Sequence, residues 1–511
     1  MKNPSIKRNT IANYIGQMYV MVIGIVVTPL YLDNLGAEAY GLVGFFALLQ
    51  AWMNLLDIGL TPTLGRQIAH ARGKENGFDE FRKLLKSFEL IFFGLAFLAI
   101  FGVYFASDWL ASNWINAQQL AVEVMVYCIT LMGVMIGMRW FAGLYRSGIN
   151  GLEDQVWLNI ANIVLISLKF VGALALLIFV SADIRHFFEY QLVIGLIELL
   201  VVMTRFYTKL PASKIPIPII SFHLDSVKAV APFALGIAYS TGMWIIVSQA
   251  DKLVLSGVLT LAEFGYFSLV ILISGAILAL TSPISSAVQP RMTYLLSNGR
   301  EADMLTLYRG GTQLVTWVTM SVSIMVALFS EPLMYAWTGN KEVAAWSKKI
   351  LFWFALGNGA LAIIAFQYYL QVAHGKLKLH VYGSTISAII DVPIVIYIAL
   401  NYGAIGAGIA WFVLRVLWGL FWTPIVHYRF APGLHWKWLF NDVLVIVLVV
   451  ALTALIMQYL YPTNIVLSRP EIFAVLIAMG GMVLAISCLS SSFIRGKLQN
   501  ILKRRYAKFK N

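Results

Sequence analysis

Long, nearly unbroken apolar runs such as Phe92–Phe105 and Val443–Leu460 leave this chain few ways to fold. About 20 such residues wound into a helix cross a hydrocarbon core of about 30 Å. Inside lipid the backbone must satisfy its own hydrogen bonds, so the segments must be helical. The sequence predicts fourteen spans, at 10–32, 40–62, 87–107, 120–145, 156–180, 187–208, 229–256, 264–286, 311–337, 347–371, 380–400, 404–426, 439–461 and 471–493. Only 12% of residues are charged, against about 25% in a soluble domain. Such a chain could not clothe a water-exposed surface, and its fold class is all-α, polytopic and membrane-embedded.

The N-terminal Lys2, Lys7 and Arg8 ahead of an apolar stretch resemble a signal peptide. The stretch exceeds signal length, carries Asn13 and Gln17, and meets no small-x-small cleavage site, so it is expected to be a retained first span. Cys128 and Cys488, the two cysteines, lie in apolar runs and are expected to be packing residues rather than disulfide partners or metal ligands.

A net charge of +13 raises nucleic acid as a partner, but its distribution excludes that. With the N-terminus inside, 29 of the 37 Lys and Arg residues fall in cytoplasmic segments and five outside, as the positive-inside rule requires. Both termini are therefore expected in the cytoplasm. The basic tail, 495–511, is placed to touch anionic membrane lipids as well. Loops are short throughout, and none holds an inserted soluble domain.

Two stretches echo each other. Leu35-Gly36-Ala37-Glu38-Ala39-Tyr40-Gly41-Leu42, followed by Gly59-Leu60-Thr61-Pro62 and Arg66, resembles Leu261-Ala262-Glu263-Phe264-Gly265-Tyr266, followed by Pro283, Pro290 and Arg291. Gly41 and Gly265 stand six spans apart, and an even number keeps both copies in the same orientation. That implies two parallel lobes related by an axis along the membrane normal, a transporter arrangement. The expected organisation is a six-helix lobe over 1–210, a cytoplasmic linker over 211–228, a second six-helix lobe over 229–427, an extra helix pair over 438–494 and the tail.

The informative residues are those that do not belong in lipid. A charge at mid-span costs about 2.5–3.5 kcal/mol on insertion scales. Lys169, Glu198, Asp391 and Arg415 lie near span centres, and Asp251 and Lys252 nearer a span end. Helical spacing gathers polar residues on single faces. Asn9, Asn13 and Gln17 form one stripe, and Gln50, Asn54 and Asp57 another. Arg139 and Arg146 share a face, as do Asn162 and Lys169, and Gln191, Glu198 and Arg205 recur every seventh residue. His380, Ser384, Ser387 and Asp391 line one side of their span.

Each has a plainer role available. Lys169 and Glu198 are placed to pair as neighbouring-helix ions, and Asp251–Lys252 to pair locally. Arg415, with Trp411, Trp418 and Trp422 at helical spacing, is placed to stack on an aromatic ring, and the asparagines to join helices. The functional expectation is a polar cavity, cationic in the first lobe, lined by Arg139, Arg146 and Lys169, with Arg66 at its inner mouth and Asn9, Asn13, Gln17, Gln50, Asn54 and Asn162 along its wall. Such a cavity selects an anion, and guanidinium groups suit a diphosphate. Glu198, Asp391, Asp57 and Asp251 are the candidate proton or sodium sites; Lys252 and Arg415 are a candidate gate or second-lobe cation.

Asn9-x3-Asn13, Pro29, Leu35-Gly36-x3-Tyr40-Gly41-Leu42, Leu56-Asp57-Ile58-Gly59-Leu60, Asp251-Lys252, Phe264-Gly265-Tyr266 and Pro290 together resemble the polysaccharide transporter family, which includes the O-antigen flippases. That family belongs to the superfamily shared with multidrug and toxin extruders and the lipid II flippase. The likeness is strongest over 9–72 and 230–292. It implies two six-helix lobes in a V around a central cavity, with two further C-terminal helices here. It also implies flipping of an undecaprenyl-diphosphate-linked oligosaccharide across a bacterial cytoplasmic membrane by alternating access, with no cofactor, coupling to H+ or Na+, and glycan-assembly proteins as partners. A cation-coupled multidrug exporter of the same superfamily is the competing expectation, and a membrane polysaccharide polymerase or ligase a third. Cysteines introduced at the two termini of a Cys-free variant should resist a membrane-impermeant maleimide in intact cells and react after permeabilisation; labelling in intact cells would overturn the orientation.

Overall fold

The computed structural model describes residues 6–74, 77–211, 218, 220–462 and 466–496, with the side chains of 6–11 outside that description. Asn9's side chain, seven residues of the linker (212–217 and 219) and nearly all of the basic tail therefore lie outside the described residues. Regular structure among them is helical, with one isolated backbone bridge between Asn116 and Thr260. Among the described residues thirteen helical stretches are long and apolar enough to cross a membrane. One of them, Lys378–Phe430, runs 53 residues, about 80 Å at helical rise, far more than one bilayer. It breaks at Gly403, whose φ of 61° and ψ of −153° lie in a region open essentially to glycine alone. The break falls where the sequence places the turn between its eleventh and twelfth spans.

The chain divides into two compact units, 1–265 and 266–511. The first holds α1 (Ile6–Leu35), α2 (Ala37–Met53), α3 (Leu60–Ala71), α4 (Gly77–Trp109), α5 (Val122–Gly151), α6 (Gln155–Ser167), α7 (Ala173–Phe179), α8 (Ile184–Lys209) and α9 (Leu224–Val258). Its core is built from α3, α4, α5 and α8, around Leu64, Ile68, Phe88, Phe92, Leu144 and Phe206. α9, the seventh predicted span, packs against α2, α3 and α4, so this unit extends beyond the six-helix lobe expected over 1–210.

The second predicted span is not one helix. α2 gives way to a 3-10 turn at Asn54–Asp57, then Ile58 and Gly59 take left-handed backbone angles and α3 starts in a new direction. The Asp57 carboxylate accepts from the backbone N–H of Thr61 at 3.2 Å and its hydroxyl at 2.8 Å, filling an orphan donor of the first turn. Gly59 is required twice over: its φ is +67°, and a Cβ there would lie 2.3 Å from the carbonyl oxygen of Ala234 on α9. α3 is amphipathic, burying Leu60, Leu64 and Ile68 while Arg66 and His70 stay exposed. The second repeat copy has the same outline, α10 (Leu261–Ala279), a turn at Leu280–Thr281 and α11 (Ser282–Ser297). Within the first unit a Cβ on Gly41 would lie 2.0 Å from the carbonyl oxygen of Leu261, the close backbone approach that small residues permit between membrane helices.

The second unit continues with α12 (Glu301–Leu328), α13 (Ser330–Thr338), α14 (Lys341–Ile364), α15 (Gln367–Ala373), α16 (Lys378–Phe430), α17 (His435–Lys437), α18 (Val445–Tyr459) and α19 (Arg469–Ser487). The helix pair expected as an add-on, α18 and α19, is bolted to α12. Asp442, fully buried in the π turn before α18, accepts from Arg309 Nε and Nη2 at 2.6 and 2.9 Å and from Gln313 Nε2 at 2.6 Å. The Gln313 carbonyl in turn accepts from the Ser491 hydroxyl and the Phe493 amide. Removing one partner from a buried ion pair costs about 3–5 kcal/mol. Asp442→Ala should therefore lower the thermal midpoint of the detergent-purified protein by several degrees, as read by size-exclusion recovery after heating.

Candidate functional site

Three cations and one carboxylate meet inside the first unit. Arg139 and Arg146 lie two turns apart on α5 and so share a face. Glu198 projects from α8, against which α5 packs. Its Oε1 accepts from Arg146 Nη2 at 2.5 Å, and its Oε2 accepts from the Lys169 ammonium. Arg146 Nη1 donates to Asn162, and Arg139 donates to Gln50 on α2 while lying 6.0 Å from the Phe46 ring.

Lys169 reaches this cluster through a distortion of the backbone. It sits in a π turn, Leu168–Gly172, between α6 and α7. A π turn breaks the α-helical register and releases carbonyls, which must find donors in an apolar setting. Side-chain hydroxyls and an amide supply them: Tyr31 donates to the carbonyls of Lys169 and Phe170, Tyr190 to that of Leu168, and Gln191 to that of Lys169. The seven-residue series on α8 thus divides its labour. Gln191 holds the π turn, Glu198 holds the cations, and Arg205 binds Asp154 at 2.6–2.9 Å and covers the Trp157 ring.

The side chains of Arg146 and Lys169 keep 24% and 14% of their surface, against 9% for Glu198. Lys169, near the middle of its span, cannot face hydrocarbon at acceptable cost, and Glu198 joins it to Arg146 near the C-terminal end of α5, so the pair marks a polar face of this unit. With Glu198 ionised, three positive charges meet one negative, a net charge of about +2. Among the described residues no other carboxylate is bonded to these cations.

Other expected site residues lie elsewhere. Asn13 joins helices: its amide donates to Gln155 at 2.9 Å and its carbonyl accepts from Asn159 at 2.6 Å, both on α6. Gln17 and Asn54 are exposed, away from the cluster's bonds. Arg66 is exposed on α3 with its guanidinium 4.0 Å from the Phe233 ring centre. Asp57 caps α3, as above. In the second unit Asp391 and Arg415 form a closed pair at 2.6 Å, each side chain 4% exposed, with Ser387 donating to Asp391 and Arg415 over Trp411 at 4.7 Å. Trp418 and Trp422 stack on each other instead. His380 packs against Tyr368. Asp251 is 2% exposed, with neither carboxylate oxygen hydrogen-bonded among the described residues; the Lys252 ammonium lies 3.5 Å away and donates to the Ser248 carbonyl.

Two carboxylates escape the sequence reading. Glu38, inside the quoted repeat motif, is buried and accepts from three successive backbone amides, Gln118, Gln119 and Leu120, at 2.6–2.9 Å. Its counterpart Glu263 closes a capping box with Thr260. Glu89 gathers Tyr145, Tyr207 and Lys86 from its own helix and two others. Backbone amides and tyrosine hydroxyls leave no charge pattern to read, and Lys86 three residues before Glu89 shows only the local part of its cluster.

Residues 6–296, more than half of the chain, match the protein family described as polysaccharide biosynthesis protein. The chain belongs to that family. No curated protein sequence matches it. Its fold is shared with solved transporters. The lipid II flippase MurJ in an inward closed conformation superposes with a TM-score of 0.69 at 15% identity, over 96% of this chain and 99% of that one. An inward-facing multidrug resistance MATE family transporter of the MOP superfamily gives 0.66 at 14% identity, over 80% and 96%. A MOP superfamily transporter from Pyrococcus furiosus gives 0.57 at 16% identity, over 83% and 95%. At these identities the likeness is one of fold, and this member of the polysaccharide biosynthesis family is a multi-pass membrane protein built on it. Asn13→Ala removes two interhelical hydrogen bonds and should cost about 1–2 kcal/mol of stability, measurable as a lowered unfolding midpoint in detergent.

Proposed function

We propose that the protein is a flippase that moves an undecaprenyl-diphosphate-linked oligosaccharide from the inner to the outer leaflet of a bacterial cytoplasmic membrane. The supporting observation is the cluster of Arg139, Arg146 and Lys169 around one carboxylate, partly open within the membrane span. It is short of negative charge, and a diphosphate supplies that charge with oxygens suited to guanidinium forks. Membership of the polysaccharide biosynthesis family and a fold shared with a lipid II flippase agree with this reading. The sugar-diphosphate head would pass along the polar face while the polyprenyl chain stays in lipid, through alternating inward- and outward-open states, with both termini in the cytoplasm.

The fold is equally that of multidrug transporters, but a site for cationic drugs needs free carboxylates. Glu198 is held by two cations, Asp391 by Arg415, Asp57 by its own helix start, and Asp251 is ion-paired with the adjacent Lys252 at 3.5 Å. For ion coupling Asp251 is the strongest of the four acids, because among the described residues no donor is hydrogen-bonded to its buried oxygens. Asp251→Asn should abolish dependence of translocation on a proton or sodium gradient in vesicles; unchanged dependence would move the coupling site elsewhere.

Loss of one charge-assisted contact is worth about 1.5–3 kcal/mol. Arg146→Ala and Lys169→Ala should therefore each weaken binding of undecaprenyl diphosphate about ten- to a hundredfold and reduce surface polysaccharide, with the protein still inserted. Normal polysaccharide in both variants would reject the site. A deletion strain with normal polysaccharide and drug hypersensitivity would favour the exporter.

A further inference from the structure

We infer that Glu198 is an internal counter-ion that the diphosphate displaces, so that it limits substrate affinity and drives release. The inference rests on the flippase reading and concerns the same site. A carboxylate offers two oxygens in a fork, as does one edge of a phosphate, and Glu198 uses both: Oε1 on Arg146 and Oε2 on Lys169. It therefore occupies the bonding positions that a phosphate bridging these two cations would need. The cations keep donors in reserve. A guanidinium has five N–H donors and an ammonium three. Arg146 spends Nη2 on Glu198 and Nη1 on Asn162, and its buried Nε has no hydrogen-bond partner among the described residues.

Charge decides the direction of exchange. Glu198 brings about one negative charge to about three positive ones, and a diphosphate brings two or more with additional acceptor oxygens. The incoming head outbids the carboxylate for Arg146 and Lys169 while Arg139, bonded to neutral Gln50, has no carboxylate to surrender. When the head departs, Glu198 returns and the cations are not left unpaired inside the membrane. A site with the three cations alone would bind the diphosphate more tightly and release it more slowly. A purely structural salt bridge makes the opposite prediction, since removing its carboxylate would disorder Arg146 and Lys169 and weaken binding.

The test measures equilibrium binding of undecaprenyl diphosphate to the full-length protein in phosphatidylcholine nanodiscs, with undecaprenol as the uncharged control, alongside translocation in vesicles. Glu198→Gln keeps the shape and removes the charge. It should tighten binding about tenfold and slow translocation, a split that a structural role would not produce. Weaker or unchanged binding by the folded variant would overturn the inference. Should Glu198→Gln fail to fold, Lys169→Met/Glu198→Gln, which preserves the cluster's net charge, is compared with Lys169→Met alone. Tighter binding by the double variant supports displacement, and equal or weaker binding overturns it. Arg146→Ala separates the two levels. If it binds as wild type does, the diphosphate site itself is wrong; if it binds more weakly while Glu198→Gln does not bind more tightly, only the counter-ion role is lost.

Discussion

Charge buried within a low-dielectric slab is the constraint on which the first unit is organised. Arg139, Arg146, Lys169 and Glu198 sit on three helical spans, and none can face hydrocarbon cheaply. Each span is consequently rotated so that its polar stripe turns toward the others, and Glu198 is where they converge. The same constraint explains the secondary polar contacts. Asn162, Gln50 and Gln191 satisfy donors or carbonyls that would otherwise be stranded. The π turn at Leu168–Gly172 is tolerated because Tyr31, Tyr190 and Gln191 take up its freed carbonyls, and it delivers Lys169 to the carboxylate.

The second unit solves the same problem differently. Asp391 and Arg415 neutralise each other, and Asp442 is matched by Arg309 with Gln313. These pairs close on themselves, one fastening the two halves of α16 and the other tying α18 to α12. Among the ion-pair clusters described above, the one around Glu198 combines excess positive charge with partial exposure. Excess charge is a standing instability in lipid, and it persists where something outside the protein completes it. That asymmetry between the two units, rather than the number of polar residues in either, is the observation behind the proposal that an anion binds in the first unit.

Much of this was legible in the residues. The helical class, the span positions and the turn at Gly403 follow from hydropathy and length, because an apolar run in lipid has no alternative to a helix. The company kept by Arg146, Lys169 and Glu198 follows from seven-residue spacing. The second predicted span, 40–62, is present as Ala37–Asp57 but ends earlier: hydropathy continues through Leu56-Asp57-Ile58-Gly59-Leu60, while the backbone turns there, because Ile58 and Gly59 adopt left-handed angles and α9 crowds Gly59. Asn13 sat on a polar stripe, yet its partners Gln155 and Asn159 make it a link between helices.

The sequence alone therefore determined which segments enter the membrane and which residues are too polar to face lipid, since both depend on local composition and helical period. The tertiary structure decided which of those residues neutralise one another. Pairing is a property of distance between elements far apart in the chain, as with Glu38 and the amides of 118–120, Asp442 and Arg309, or Arg146, Lys169 and Glu198. It separates a closed ion pair such as Asp391–Arg415 from a cluster that keeps excess positive charge such as that around Glu198.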